Sequence, residues 1–373
     1  MKIYLAIFAI LIAKLMFAQN PQFSELLSYY HSEKQFNGVV LVATNGEIDF
    51  LSSVGIGDRR NSAVVTTKSR FKIASVTKVF TAVMIMKLVE EKKLDLKSTI
   101  DKYLPNYTGE GKDKVTIHHL LTYSSGIQNK LDKLGISPYQ VEKNLDEFIE
   151  SYCSGELVYS PGIKSEYGNT EYILLHKIIE TVSEKSYDNY LRELVLEPLG
   201  LENTQIIKSK EINTGLLPSY TFDDSLGVFI NDATYYPELY FGAGALYSTI
   251  EDLLKFDQAL FNNKLLSREL TQKLLTIHPE LGNTAYGLWG SQGWGSFNEP
   301  FYYRPGGILG STANWIHTMK SGKTIIALSN TNATNLYELS EKLYLTSIGK
   351  EVKIPTPTKI SAFHFPHREV TRF

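Results

Sequence analysis

Residues 3–17 are apolar except for Lys14, and downstream of them apolar positions recur with recognisable periods. Between Phe23 and Phe36, Leu26, Leu27 and Tyr30 fall at helical spacing, which predicts an amphipathic helix. Two strand-like runs follow, 38–43 and 48–51, on either side of Asn45-Gly46. An Asn-Gly between such runs predicts a tight hairpin, because both residues tolerate the left-handed backbone that the turn requires. A further short strand leads from Phe71 to Ala74, and the period changes at Ser75. Positions 79–89 are apolar nearly all round, which predicts a buried helix, with Glu90-Glu91-Lys92-Lys93 as its solvated end.

From about 100 to 235 the pattern is mostly helical, with periodic stretches at 117–121, 145–152, 172–182 and 187–196. Strand signals return at 315–319 and 324–328, flanking the turn 320–323, and 335–345 reads as a closing helix. Strands at both ends with helices between them predict an α+β fold, an α/β sandwich. One antiparallel sheet is built from N- and C-terminal strands, flanked by helices, with a mostly helical lobe inserted. No internal repeat or low-complexity stretch interrupts residues 19–349, which read as one domain, followed by a tail at 350–373.

Composition changes this picture little. The 373 residues are 43 % hydrophobic and 21 % charged with a net charge of -2, as in an ordinary globular protein without a polyanionic partner such as nucleic acid. The N-terminus changes it more. Lys2, the short apolar run and Ala18 before Gln19 have the layout of a secretory signal peptide over residues 1–18, too short for a comfortable membrane span. The expectation is a periplasmic or secreted protein with no stable membrane span once that segment is removed. An N-terminal membrane anchor is the alternative. Cys153 is the chain's single cysteine, so it forms no internal disulfide, and it reads as buried filler.

Three Ser-x-x-Lys spacings occur, at Ser69, Ser75 and Ser347. Ser69 and Lys72 sit in a strand-like run, where residues three apart point to opposite faces. Ser347 and Lys350 follow the closing helix. Ser75 alone stands where a strand hands over to a buried helix, so Lys78 is stacked one turn from its hydroxyl. A serine is a poor nucleophile until a base takes its proton, and a lysine can be that base only when burial lowers its pKa. On spacing alone, Ser75 as a helix cap with Lys78 in solvent explains the pattern as well. The second signal is Tyr167-Gly168-Asn169, between Ser160-Pro161-Gly162 and the start of a helix. A phenol beside such an amine can relay a proton, and an amide can tie the two together. Tyr187-Asp188-Asn189 has a similar spelling inside a helical pattern and reads as surface. The eight histidines show no metal-ligand spacing; His118-His119 reads as packing at a helix start.

Ala74-Ser75-Val76-Thr77-Lys78, Tyr167-Gly168-Asn169 and a late glycine-rich strand resemble the penicillin-recognising serine hydrolases, nearest the class C β-lactamase, D-alanyl-D-alanine carboxypeptidase and esterase branch. Stretches 119–126, 197–201 and 242–249 agree, and the likeness runs from about 35 to 345 in the family's motif order. The resemblance implies an acyl-enzyme on Ser75, with Lys78 and Tyr167 as the proton-transfer pair. It also implies an oxyanion hole from the Ser75 and Gly307 amides, and substrate contacts from Asn169, Arg304 and Gly306. No metal or organic cofactor is implied, and the partner is a small-molecule or peptide substrate in an unspecified oligomeric state. The third motif departs from the family: where Lys or His, a small or hydroxyl residue and Gly are expected, the chain reads Arg304-Pro305-Gly306. Arg304 would keep a cation for a substrate carboxylate but cannot relay a proton, and Pro305 brings neither hydroxyl nor N–H. The departure bears on substrate, leaving ester, amide, D-peptide and β-lactam open. It also leaves room for a catalytically idle penicillin-binding-like protein that binds cell-wall peptide or a partner.

Overall fold

The structure, a computed structural model, describes residues 20–354. Residues 1–19, which include the segment read as a signal peptide, and residues 355–373 of the tail lie outside the described residues. The first helix, α1 (Pro21–Glu33), starts at Asn20, whose side chain accepts from the Gln22 N–H at 3.1 Å. It buries Phe23, Leu26, Leu27 and Tyr30.

The main sheet has six antiparallel strands. In chain order they are β1 (Gly38–Thr44), β2 (Glu47–Val54), β3 (Trp289–Ser291), β4 (Phe301–Ile308), β5 (Ser311–Thr318) and β6 (Lys323–Ser329). In space the order is β3-β4-β5-β6-β1-β2, so strands from both chain ends share one sheet. Val40 of β1 faces Ala327 on one side and Ser52 on the other. β1 lies inside the sheet, one strand from its edge, and it is an unbroken apolar run because helices cover both of its faces. Val40, Val42, Phe50, Ile316 and Ile325 pack under α1 and the closing helix α5 (Leu336–Ser347). Val39, Leu41, Ala313, Trp315 and Ile326 face the other way, toward α2 (Thr77–Glu90) and α4 (Ile250–Phe261). The β1–β2 turn has Asn45 at φ 50° and Gly46 at φ 86°, the left-handed pair that the Asn-Gly signal predicts.

Between β2 and β3 lies the helical region. Its two longest helices are α2 and α3 (Thr170–Ser183), 14 residues each, which pack together through a shared core including Val79, Val83, Ile173 and Leu174. The inserted lobe is less purely helical than the sequence pattern suggests: a two-stranded hairpin, Tyr220–Asp223 with Val228–Asn231, stands within it. Those strands are four residues each: Tyr220-Thr221-Phe222-Asp223 alternates but is too short to stand out, and Val228-Phe229-Ile230-Asn231 is mostly exposed and does not alternate. Among the described residues no helix is long and apolar enough to cross a membrane.

Candidate active site

The strand Phe71–Lys72 pairs with Leu246–Ser248, after which Ala74 turns the chain with φ 47°. A left-handed alanine costs roughly 1–2 kcal/mol, and here the strain is held by complete burial. The turn sets Ser75 at the mouth of α2. Eleven residues of that helix are buried, so Lys78, one turn further in, is carried into the interior with no exposed surface.

The Lys78 ammonium nitrogen lies 3.1 Å from Ser75 Oγ, 3.0 Å from Tyr167 OH, 2.8 Å from Asn169 Oδ1 and 2.8 Å from the Ala243 carbonyl. The last two can only accept, which assigns two N–H bonds and aims the rest of the nitrogen at the two hydroxyls. Ser75 Oγ and Tyr167 OH are 2.6 Å apart. Burial, followed in size by the opposing pull of Tyr167 and a further push from Arg304, lowers the Lys78 pKa to about 8. Burial alone would raise Tyr167. The Lys78 and Arg304 cations, with hydrogen bonds from Lys78 and Ser75, outweigh it and bring the phenol down to about 8.

Asn169 caps α3 without a side-chain capping bond. Its amide is used otherwise, accepting from Lys78 and donating to Tyr139 OH at 3.1 Å. The Ala243 carbonyl is the partner that sequence reasoning missed. Two hydroxyls of α2 hold its segment: Thr81 Oγ1 donates to Gly242 O at 2.6 Å, and Thr77 Oγ1 accepts from Leu246 N–H at 3.3 Å. The stretch 242–249 was visible as a family likeness, but nothing in it pointed to a lysine.

Arg304, expected to contact substrate, has no exposed surface, and each of its nitrogens donates within the protein. Nε reaches Ser75 O at 2.8 Å, Nη1 the Tyr123 OH at 3.0 Å, and Nη2 the Tyr167 OH at 2.9 Å. The guanidinium also lies over the Trp289 ring, 4.7 Å from its centroid. The physical reason is a wall of aromatics, Tyr123, Tyr167 and Trp289, that accepts a planar cation and engages three of its five N–H donors together with the Ser75 carbonyl. Tyr123 itself sits at φ 56°, a left-handed backbone that no composition signal announced.

Gly306 is where β4 runs beside the nucleophile turn. A Cβ there would stand 2.4 Å from Ile73 O and 3.1 Å from Ser75 N, so only glycine allows this approach. At Gly307 a Cβ would meet nothing within 4 Å, so that residue faces open space. Strand β3 pairs with β4 only through Phe301, Tyr302 and Tyr303, leaving the edge from Arg304 onward without a strand neighbour. Of the residues set aside, Cys153 is buried with its thiol pushed up by desolvation. Tyr187 is buried with its OH 2.7 Å from Thr81 Oγ1, so this tyrosine is packing, whereas Asn189 of the same triplet is exposed as expected. His119 completes a capping box at the helix Ile117–Leu121.

Residues 17–350 match the protein family described as Beta-lactamase. The chain belongs to that family. As a beta-lactamase family member it falls within the penicillin-recognising serine hydrolases that its motifs resemble. It is 28 % identical over 326 residues to a putative penicillin-binding protein PbpX of Bacillus subtilis, covering 86 % of this chain and 78 % of that one. It is 26 % identical over 259 residues to a teichoic acid D-alanine hydrolase of Staphylococcus aureus, covering 69 % of this chain and 62 % of that protein. Among solved structures, this family member resembles the octameric penicillin-binding protein homologue from Pyrococcus abyssi. There the TM-score is 0.76 at 25 % identity, over 88 % of this chain and 77 % of that one.

Proposed function

We propose that this protein is an exported serine hydrolase that forms an acyl-enzyme on Ser75 and acts on esters or amides of D-amino acids. The observation that carries the reading is the Ser75–Tyr167–Lys78 triangle, with edges of 2.6, 3.0 and 3.1 Å. Ser75 Oγ attacks the acyl carbon as its proton passes to the Lys78–Tyr167 pair. The two groups share one titration range, so the proton crosses between them without a large free-energy step. The resulting oxyanion accepts from the Ser75 and Gly307 N–H groups, each such donor being worth roughly 3 kcal/mol. Tyr167 returns the proton to the leaving oxygen or nitrogen, then takes one from the water that releases the acyl group. Asn169 holds Lys78 and reaches the acyl side of the cleft. The open edge of β4 receives the extended part of the substrate.

The D-amino-acyl preference is supported by the named activity of the Staphylococcus aureus relative. β-Lactam turnover is disfavoured because Arg304 is buried with each nitrogen already donating to the protein, and Pro305 brings no hydroxyl. Export is supported by the leader-like residues 1–18.

A fluorophosphonate probe should label the wild type and not Ser75→Ala. D-alanyl ester and amide substrates should be turned over faster than their L counterparts, with nitrocefin slow. Equal labelling of both proteins would remove Ser75 from the mechanism. Labelling of neither would favour the idle peptide-binding alternative.

A further inference from the structure

Charge is nearly balanced along this chain, with 38 Lys and Arg against 40 Asp and Glu. Five lysines nevertheless gather round one surface depression of about 300 Å³. It lies where α2 ends, roughly 20 Å along that helix from Ser75 at 1.5 Å per residue. Lys92, Lys93 and Lys97 come from the turn after α2. Lys102 comes from the short helix Ile100–Tyr103 and Lys273 from the helix Arg268–Leu274. Three separate segments therefore bring like charge to one place, which repels unless an anion answers it.

Little of that charge is answered within the protein. Lys93 pairs with Glu91 at 2.9 Å, and Lys102 donates to Ser98 Oγ at 3.0 Å. The ammonium groups of Lys92, Lys97 and Lys273 make no ion pair among the described residues. Asp95 in the lining accepts from Lys97 N–H and Ser98 Oγ, each at 3.1 Å, and its carboxylate answers part of the charge of Lys102 and Lys97, one negative charge against five positive. Lys92 stands at φ 57°, a helix-end position that glycine or asparagine would occupy with less strain. The Lys93 and Leu94 N–H groups both close on Leu88 O, at 2.9 and 3.2 Å, so the turn itself needs no lysine there. Beneath the cations lie buried Leu94, Leu96 and Tyr103, an apolar floor.

We propose that this depression binds a phosphate-bearing ligand, with lysine ammonium groups around the phosphate oxygens and the organic part over Leu94, Leu96 and Tyr103. Lysine is a compact point charge that suits a tetrahedral group approached from several sides. A planar carboxylate would call for the arginine fork, and no arginine lines the site. The phosphate can belong to a soluble ester or to a lipid headgroup.

The test uses the full chain and lysine acetylation read by mass spectrometry at constant ionic strength. Glycerol 3-phosphate should protect Lys92, Lys97 and Lys273 selectively over the exposed Lys133 and Lys320. Lys97→Gln and Lys273→Gln should each weaken its binding about fivefold. Lys92→Gly should weaken binding while leaving the melting temperature equal or higher, a split that a merely structural lysine would not give. Co-sedimentation with phosphatidylglycerol but not phosphatidylcholine vesicles, lost in Lys97→Gln, assigns the phosphate to a lipid. Protection without sedimentation assigns it to a soluble ester. Absence of protection by both probes, or equal protection of Lys133 and Lys320, overturns the site. Turnover of a D-alanyl ester by the same variants should not change, which keeps this outcome separate from the fate of Ser75.

Discussion

Around Tyr167 two cations and a hydroxyl meet on one phenol oxygen, and that crowding sets the pH response. With Lys78 and Tyr167 both brought to about 8, kcat/KM should rise with pH through an apparent value near 8 that belongs to the pair. Arg304→Gln removes a cation that holds Tyr167 down, so the rise should move to higher pH, by about one unit. A pH–rate profile of ester hydrolysis reads both; an unmoved limb would detach Arg304 from the phenol. Glu171 makes a second residue-scale prediction. Burial raises its carboxyl to about 7, a Ser125 Oγ hydrogen bond at 2.7 Å partly offsets this, and its other oxygen has no partner. A raised acid contributes stability that is complete below about pH 4.5 and is lost as pH rises through 7. Glu171→Gln should therefore be more stable than wild type at pH 8.5, by about 2–3 kcal/mol, and little different at pH 4.5, in urea melts. Ser75, Lys78, Tyr167 and Asn169 were legible because a strand-to-helix handover and two short spacings carry them. The destination of Arg304 was not, because it depends on Tyr123, far off in sequence and in an unannounced backbone conformation.

The element that matters most for chemistry is β4, laid against the Ala74–Ser75 turn. Gly306→Ala would force its Cβ into Ile73 O, shifting strand from turn. Activity should fall about 100-fold, as small misplacements of reacting groups do. Gly307→Ala keeps the same amide and meets open space, so it should fold and melt like wild type. Ester turnover and melting temperature of the two variants separate a displaced strand from a mere added methyl on the same strand edge. At this scale the sequence was a good guide wherever an element is buried on a regular face: the Asn45-Gly46 hairpin, α2 and α5 all stand where their patterns put them. It was a poor guide to the exposed hairpin at 220–231. Phe222 and Phe229 contact each other there, ring centroids 5.1 Å apart, but each strand has only four residues and Val228-Phe229-Ile230 does not alternate.

Across the whole molecule, sheet and helical layer are joined by a buried carboxylate as well as by apolar packing. Asp257 of α4 accepts from Trp315 Nε1 at 2.7 Å and Thr324 Oγ1 at 2.7 Å, and lies 3.0 Å from His317 Nδ1. Asp257→Ala would leave the Trp315 N–H buried without a partner and Thr324 and His317 with only each other, 3.4 Å apart. Unfolding free energy should drop about 3 kcal/mol in urea melts. The α+β sandwich was legible from strands at both chain ends. The position of β1 inside the sheet was not, because periodicity says which faces are covered and not which strand covers an edge.

That interior position has a consequence for how the protein is made. Strand β1 leaves the ribosome among the first described residues, yet its neighbour β6 is among the last. At about 5–20 residues per second, β1 waits roughly a quarter of a minute to a minute for its partner. Its sticky, uncharged edge is exposed meanwhile, so a nascent chain of this design depends on holding factors until translation is nearly done.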